Sequence, residues 1–215
     1  THSGLLASAL AMNKPMAKRL FAAADIPVPE GKVVGSDEVI AAEAMAPPYV
    51  IKPLNEGSSV GVHIIFEDDG KHSLAANWPF GDRVLVERYI PGRELTVAVM
   101  GDQALAVTEI TTSAGFYDYS AKYDEGASTH LIPAPVPSAV YGEALKLAVL
   151  AHRSLGCRGV SRADFRYDGD KLFILELNTQ PGMTPMSLVP EQAAHAGKSF
   201  DELVIWMVEN AECDP

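Results

Sequence analysis

Apolar residues along the chain fall into two rhythms, one of three to four residues and one of two, separated by proline and glycine. After Asn13, a good N-cap with Pro15 in the first turn, Met16, Leu20, Phe21 and Ala24 keep helical spacing until Ile26-Pro27-Val28-Pro29 stops it. Ser36 to Met45 reads as a second helix, ended by Pro47-Pro48. Tyr49 to Pro53 then reads as a buried strand, with further strands at Val62 to Phe66 and Val84 to Tyr89 and a helical piece near Asn77 between them. Pro91-Gly92 breaks the pattern and marks a hinge. Glu94 to Met100 and Gln103 to Ile110 form a hairpin about Gly101-Asp102. Thr112 to Pro137 is polar and turn-rich, longer than connections in compact domains usually run, and so reads as a functional lid loop. Val140 to Leu155 is an amphipathic helix stopped by Gly156, and a last helix lies near Leu203 to Asn210. The sum is an α+β fold in two units, 1–90 and 91–215.

The most informative stretch is 162–178. Two apolar-alternating runs flank Asp168-Gly169-Asp170, so they read as paired strands. Alternation puts Glu176 and Asn178 on one face and Phe173, Leu175 and Leu177 on the other. Arg162 and Asp164 also share a face. An odd turn of three or five residues sets them beside Glu176 and Asn178, and a two-residue turn splits them. Such oxygen donors suit magnesium, which takes one or two carboxylates and completes its shell with substrate phosphates. A solvated face of an antiparallel sheet is the competing reading. The loop that follows, Thr179-Gln180-Pro181-Gly182-Met183-Thr184-Pro185, is too poor in charge for a plain surface connection.

Composition narrows the classes of function. With 215 residues and 47% hydrophobic content, the chain can bury a core, and its net charge of −11, from 17 basic and 28 acidic residues, excludes a nucleic-acid groove or an anionic membrane surface. An anionic ligand therefore needs local lysines and arginines. No apolar run reaches membrane-span length, and Leu5 to Met12 lacks the basic start and cleavage pattern of a signal peptide. Cys157 and Cys213 are isolated, which fits reduced thiols in the cytoplasm. The chain opens at Thr1 rather than Met, so a preceding N-terminal part is expected. His63, His72, His130, His152 and His195 show no ligand spacing. Asp168 and Asp170 are turn-formers, and Met183 and Met186 read as packing residues.

Local basic chemistry is present. Lys52 ends an apolar strand and is followed by Gly57-Ser58-Ser59-Val60-Gly61, small residues whose backbone N–H groups can wrap phosphate oxygens. It is not a Walker loop, since no Gly-Lys-Ser/Thr follows.

Met12-Asn13-Lys14, Val50-Ile51-Lys52-Pro53, Glu56-Gly57-Ser58-Ser59-Val60-Gly61, Phe116-Tyr117-Asp118-Tyr119, Ala121-Lys122-Tyr123, Arg162-Ala163-Asp164 and Glu176-Leu177-Asn178-Thr179-Gln180-Pro181-Gly182-Met183-Thr184 together resemble the D-alanine–D-alanine ligases of the ATP-grasp superfamily. The resemblance runs in order over essentially the whole chain. It implies ATP clasped between two α+β subdomains with antiparallel sheets, Lys14, Lys52 and Lys122 on its phosphates, and Ser58 and Ser59 in the loop that closes above. Glu87, Arg88, Tyr89 and Ile90 match the strand that meets the adenine, Phe116 is a further nucleotide contact, and Glu94 matches the ribose acid. Asp164, Glu176 and Asn178 match the ligands of two magnesium ions, with manganese as a substitute. Arg162 and the backbone of Gly182 match the oxyanion stabilisers. Ser187 and the backbone of Leu188 match the seat of the second D-alanine's carboxylate, and Ser58 and Tyr123 orient the first.

The resemblance further implies ATP-dependent joining of two D-alanine molecules through an acyl phosphate for peptidoglycan and the cell wall, in a homodimeric full-length enzyme. An N-terminal domain that supplies a glutamate for the first substrate has no counterpart in these residues. Two other readings stay open: an ATP-grasp fragment that binds nucleotide without turnover, and a D-alanine–D-lactate or other carboxylate–amine ligase, against which Tyr123 argues. A purely structural module would leave the lysines and acids unexplained.

Overall fold

A computed structural model of the chain describes residues 1–36, 45–66, 78–112, 128–185 and 187–213. The expected helix over 36–45, the helical piece near Asn77, Met186 and most of the expected lid lie outside those residues.

Two helices open the chain, α1 (Leu5–Met12) and α2 (Lys14–Ala23), and the Asn13 side chain caps α2 by accepting the Met16 N–H. The first sheet holds β1 (Gly31–Gly35), β2 (Tyr49–Lys52), β3 (His63–Ile65) and β4 (Arg83–Arg88) in the order β1-β4-β2-β3, all antiparallel. The second holds β5 (Arg93–Met100), β6 (Gln103–Thr112), β7 (Ser128–Leu131), β8 (Val160–Tyr167) and β9 (Leu172–Asn178) in the order β7-β6-β5-β8-β9, again antiparallel. Three more helices belong to this half: α3 (Ser138–Ser154), α4 (Leu188–His195) and α5 (Phe200–Glu209).

Each sheet has its own core. Val34, Tyr49, Ile51, Ile65, Val84 and Val86 form the first, on one face of the four-stranded sheet. Strand alternation leaves Val50, Lys52, Leu85 and Glu87 on the opposite face. The five-stranded sheet is covered on both sides. Ala144, Ala148 and Ala151 of α3 meet Leu95, Val97, Phe165 and Ile174 on one face, and α4 and α5 meet Ala98, Met100 and Val160 on the other. Small residues at helical spacing let α3 lie close to the strands. The helix ends with Gly156 at φ +68°, where the N–H groups of Cys157 and Gly156 close on the carbonyls of His152 and Arg153.

Several expectations need correction. α1 and α2, grouped by sequence order with the first half, send Ala11, Ala17 and Phe21 into the core of the second sheet. β1 was not anticipated, because Gly31-Lys32-Val33-Val34-Gly35 is short and bounded by glycines. At the described end of the expected lid, β7 pairs with β6 and Ala134 is buried, so residues 128–134 are an edge strand and its continuation rather than open loop. α4 was also unforeseen. It is held by Gln192, fully buried, whose Oε1 accepts the Ala98 N–H at 2.7 Å and whose Nε2 donates to the Thr96 carbonyl at 3.1 Å, where an extra residue in β6 opposite Ala98 shifts the pairing of β5 with β6.

Gln192→Leu should therefore leave a buried donor and acceptor unpaired and destabilise the fold by about 3 kcal/mol. A urea titration checks this, with a lowered midpoint at unchanged slope as the expected result. His152 of α3, buried against β8 with Nδ1 2.7 Å from the Ser161 hydroxyl, has its pKa lowered chiefly by burial. The unfolded chain protonates this residue first as pH falls, so its contribution is present above the ordinary value of 6.5 and is lost progressively below it. Stability should decline below pH 6.5, and His152→Gln should flatten that part of the curve in thermal melts run across pH.

Candidate active site

β8 and β9 are joined by Asp168 to Lys171, a four-residue connection, and pair as Tyr167 with Leu172, Arg166 with Phe173 and Phe165 with Ile174. Carried on unchanged, that register would set Asp164 opposite Leu175 and turn Glu176 to the other face. A β-bulge intervenes: beyond Leu175 the partners become Asp164 with Glu176, Ala163 with Leu177 and Arg162 with Asn178. The expected gathering of acids on one face is thus present, through a bulge rather than an odd turn. The bulge also revises the apolar face. Leu172, Ile174 and Leu177 enter the core, while Phe173 lies under the Arg88 guanidinium at 5.4 Å and Leu175 lines a cleft.

That cleft lies between the two sheets and is lined by residues of both, the kind of concave, mixed polar and apolar place where small-molecule and cofactor sites form. Lys14, Lys52, Ser59, Glu87, Arg88, Tyr89, Ile90, Glu94, Asp164 and Glu176 of the expected set all line it. Ser58 stands beside Ser59 in the serine loop, both at positive φ (53° and 58°), conformations that cost of order 1 kcal/mol each and cluster at ligand clamps. Phe116, Lys122 and Tyr123 lie outside the described residues.

Asp164 is the most heavily bonded acid. Its Oδ1 accepts from the Thr96 hydroxyl at 2.6 Å and from Arg162 Nε at 2.9 Å, and its Oδ2 from Arg162 Nη2 and Asn178 Nδ2, each at 2.9 Å. A carboxylate offers about four lone-pair sites, so a cation at Asp164 has to displace one of these donors. Glu176 lines the cleft on the same face, and Asn178 turns its amide nitrogen to Asp164. The hard oxygens of Glu176, Asp164 and Asn178 fit a small divalent cation on condition that Arg162 shifts.

On the other wall stands Lys14, and Lys18, one helix turn further along α2, lies behind that wall. The Lys14 ammonium donates to the Glu56 carbonyl beside the serine loop. Lys18 Nζ lies 2.8 Å from Glu87 Oε1, and the Lys52 ammonium contacts Glu87 Oε2. All three charged groups are buried. Burial pulls the Lys18 ammonium down to about 8, and pulls Lys14 down as well with the Lys52 charge adding to the effect. For Glu87 burial pushes the carboxyl up, but the two ammoniums outweigh it and hold the group below its ordinary value.

Two basic residues of the site were missed. Lys18 follows Lys14 at the four-residue spacing that shares a helix face, a signal available in the sequence. Arg166 continues the Arg162-Asp164 alternation. It straps the crossing between the sheets, donating to the Ile90 carbonyl at 3.2 Å, the Gly92 carbonyl at 3.0 Å and Glu94 Oε2 at 3.3 Å, with its guanidinium 5.9 Å from the Tyr89 ring. Gly92 is required there: it has φ +100°, and a Cβ would run into the Tyr167 carbonyl.

A second group sits away from the lysines. A Cβ on Gly182 would come within 2.8 Å of Ser187 Oγ, and that hydroxyl accepts from the Thr184 N–H at 3.1 Å. Ser187 precedes Leu188 at the start of α4, so Gly182, Ser187 and Leu188 form one corner, held by the Gln192 clamp. Lining acids and lysines on opposing walls, with a glycine–serine corner beyond, can hold a polyanion and orient a carboxylate.

Comparison with known proteins agrees with this architecture. Residues 20–209 match the family model described as the D-ala D-ala ligase C-terminus. The D-alanine–D-alanine ligase of Rhodospirillum rubrum is 59% identical over 215 residues, which cover all of this chain and 71% of that protein. Among solved structures, the D-alanine–D-alanine ligase of Bacillus anthracis superposes with a TM-score of 0.84 at 28% identity, covering 98% of this chain and 70% of that one. The VanG D-Ala:D-Ser ligase of Enterococcus faecalis gives a TM-score of 0.81 at 32% identity, covering 95% and 62%. With an ATP-grasp fold, a family match over nearly its full length and a relative this similar, the chain belongs to the D-alanine–D-alanine ligase family.

Proposed function

We propose that this chain binds ATP and a divalent metal in the cleft between its sheets and joins two D-alanine molecules into D-alanyl-D-alanine, the dipeptide used in peptidoglycan synthesis. The observation that carries the reading is the pair of opposing walls, Lys14 and Lys52 on one and Asp164 and Glu176 on the other. Identity with relatives named for this reaction supports the choice of substrates.

A carboxylate is a poor acyl donor. In the proposed reaction an oxygen of the first D-alanine's carboxylate attacks the γ-phosphorus, and the bond to the ADP oxygen breaks. The amine of the second D-alanine then attacks the acyl carbon, the C–O bond to phosphate breaks, and the nitrogen loses a proton. Phosphoryl transfer asks mainly for positioning and charge neutralisation. Lys14 and Lys52 meet the phosphates, joined by Lys122, beneath the Ser58-Ser59 loop. Arg88, Tyr89, Ile90 and Phe116 seat the adenine beside the Glu87 strand, and Glu94 the ribose. Asp164, Glu176 and Asn178 would hold magnesium as two ions, or manganese, which neutralises phosphate charge when bound. Arg162 and the Gly182 N–H stabilise the tetrahedral anion, each worth about 3 kcal/mol by analogy with lost oxyanion donors. Ser187 and Leu188 seat the second carboxylate, and Ser58 and Tyr123 the first substrate. A homodimeric full-length enzyme completes the proposal. The D-Ala:D-Ser neighbour shares the fold, so the fold leaves the second substrate to the residues around Ser187 and Tyr123.

ADP release that depends on D-alanine is the expected result for the unsubstituted chain, and its loss in Glu176→Gln with the fold retained is expected on the metal assignment. Nucleotide binding with no D-alanine-dependent ADP release would make the chain a binding fragment, and wild-type turnover in Glu176→Gln would remove the metal role. Lys52→Ala should lower ATP affinity roughly tenfold or more, the scale of a charged hydrogen bond, in a calorimetric titration. An unchanged affinity would return Lys52 to a purely structural role.

A further inference from the structure

Lys18 is a buried charge at this site for which the proposed chemistry has no use. It stands behind the cleft wall rather than on it, with Nζ 2.8 Å from Glu87 Oε1 and 3.5 Å from the Ile174 carbonyl. Glu87, only 2% exposed, therefore has two cations, one of which, Lys52, faces the cleft. We infer, on the basis of the nucleotide reading above, that Lys18 is a positioning residue that keeps Glu87 paired and thereby frees Lys52 to leave the carboxylate for the nucleotide's phosphates.

The physical reason is the asymmetry of buried charge. A carboxylate with one cation, taken out of water, holds that cation strongly, because releasing it strands a buried ion. Were Lys52 the only partner of Glu87, each phosphate contact would leave Glu87 unpaired. With Lys18 fixed at the other oxygen, Glu87 keeps a partner whichever way Lys52 points. The surroundings hold this arrangement in place. Lys18 and Lys14 lie on one face of α2, whose N-cap fixes its start, so the helix delivers one ammonium to the serine loop and the other to Glu87. On the strand side Gly31 pairs with Glu87, and a Cβ there would lie 2.7 Å from Glu87 Cγ, so the missing side chain gives the carboxylate its path between the lysines. Burial of Lys18 also lowers its affinity for a proton, and the Glu87 charge offsets part of that.

The test is calorimetric titration of the chain with ATP and with adenosine, each in magnesium. Lys18→Met should weaken ATP about tenfold, the effect of a difference near 1.4 kcal/mol in the hold on Lys52, and leave adenosine, which lacks phosphates, unchanged. Lys18→Arg should restore most of the ATP affinity. The Lys18→Met/Glu87→Gln double variant should recover ATP affinity over the single variant, because the trap for Lys52 is gone. Unchanged ATP affinity in Lys18→Met, equal losses for ATP and adenosine, or a double variant no tighter than the single one would each overturn the inference. If Lys18→Met does not fold in a thermal melt, Lys18→Gln takes its place: a loss of about tenfold for ATP with adenosine unchanged supports the inference, and unchanged ATP affinity or equal losses overturn it. An unsubstituted chain that binds no ATP would overturn the nucleotide reading itself, and this inference with it.

Discussion

One extra residue in β9 governs the chemistry of the second sheet. Side chains on a strand alternate with period two, so a register shift of one moves every group to the opposite face. The four-residue connection at Asp168 to Lys171 sets a register in which Asp164 and Glu176 would part. The bulge at Leu175 restores them to one face at the point where Asp164 must also meet Thr96 of β5. It separates two demands on β9: up to Ile174 the strand serves the core with its even-numbered residues, and beyond the bulge Leu177 serves the core while Glu176 lines the cleft and Asn178 reaches Asp164. Bulges recur beside active sites because they re-aim side chains in this way.

The second constraint is charge taken out of water. An acidic chain that must hold a polyanion has to gather its few cations, and here they are placed by regular elements rather than by flexible loops: two by consecutive turns of α2, one by the end of β2. Each buried ammonium and carboxylate loses hydration worth several kcal/mol, which only close opposite charge offsets. The Lys18–Glu87–Lys52 cluster and the Arg162–Asp164 fork are such offsets. Both also keep a ligand-facing group occupied while the cleft holds no anion or cation, so binding becomes an exchange of partners rather than the exposure of a bare charge.

Much of this was legible in the sequence because the signals were local. The Asn13 cap, the Gly101 turn and the Gly156 stop depend on residues within a few positions, and each stands in the structure as read. The aggregation of Lys14, Lys52, Glu87 to Ile90, Glu94, Asp164 and Glu176 around one cleft also follows the motifs. What escaped was set by distant partners. β1 and β7 are short and polar and become strands only because β4 and β6 offer edges. α4 is short too, and what holds it is Gln192 on the β5 backbone, opposite a β6 bulge that no periodicity announces. The β9 bulge is equally silent, since Leu175 looks like any alternating leucine. Lys18 and Arg166 were in plain view at the right spacings, but a lone basic residue reads as surface until its burial is known.

The crossing between the sheets joins these constraints. Residues 89–92 link β4, which carries Glu87, to β5, which carries Glu94 and the Thr96 that holds Asp164. Arg166, on the same face of β8 as Asp164, bonds two carbonyls of that crossing, those of Ile90 and Gly92, and the Glu94 carboxylate. The strand that presents the acid of one wall thus also fixes where the other wall begins. Because each sheet has a separate core, the relation between walls rests on this strap, on Gly92 packed against the Tyr167 carbonyl, and on α2, which is rooted in the second core yet sends Lys18 to Glu87 of the first sheet. Ligand chemistry that needs the α2 lysines and Lys52 of the first sheet opposite the acids of the second is therefore referred to one frame, the five-stranded sheet, from which both α2 and Arg166 extend.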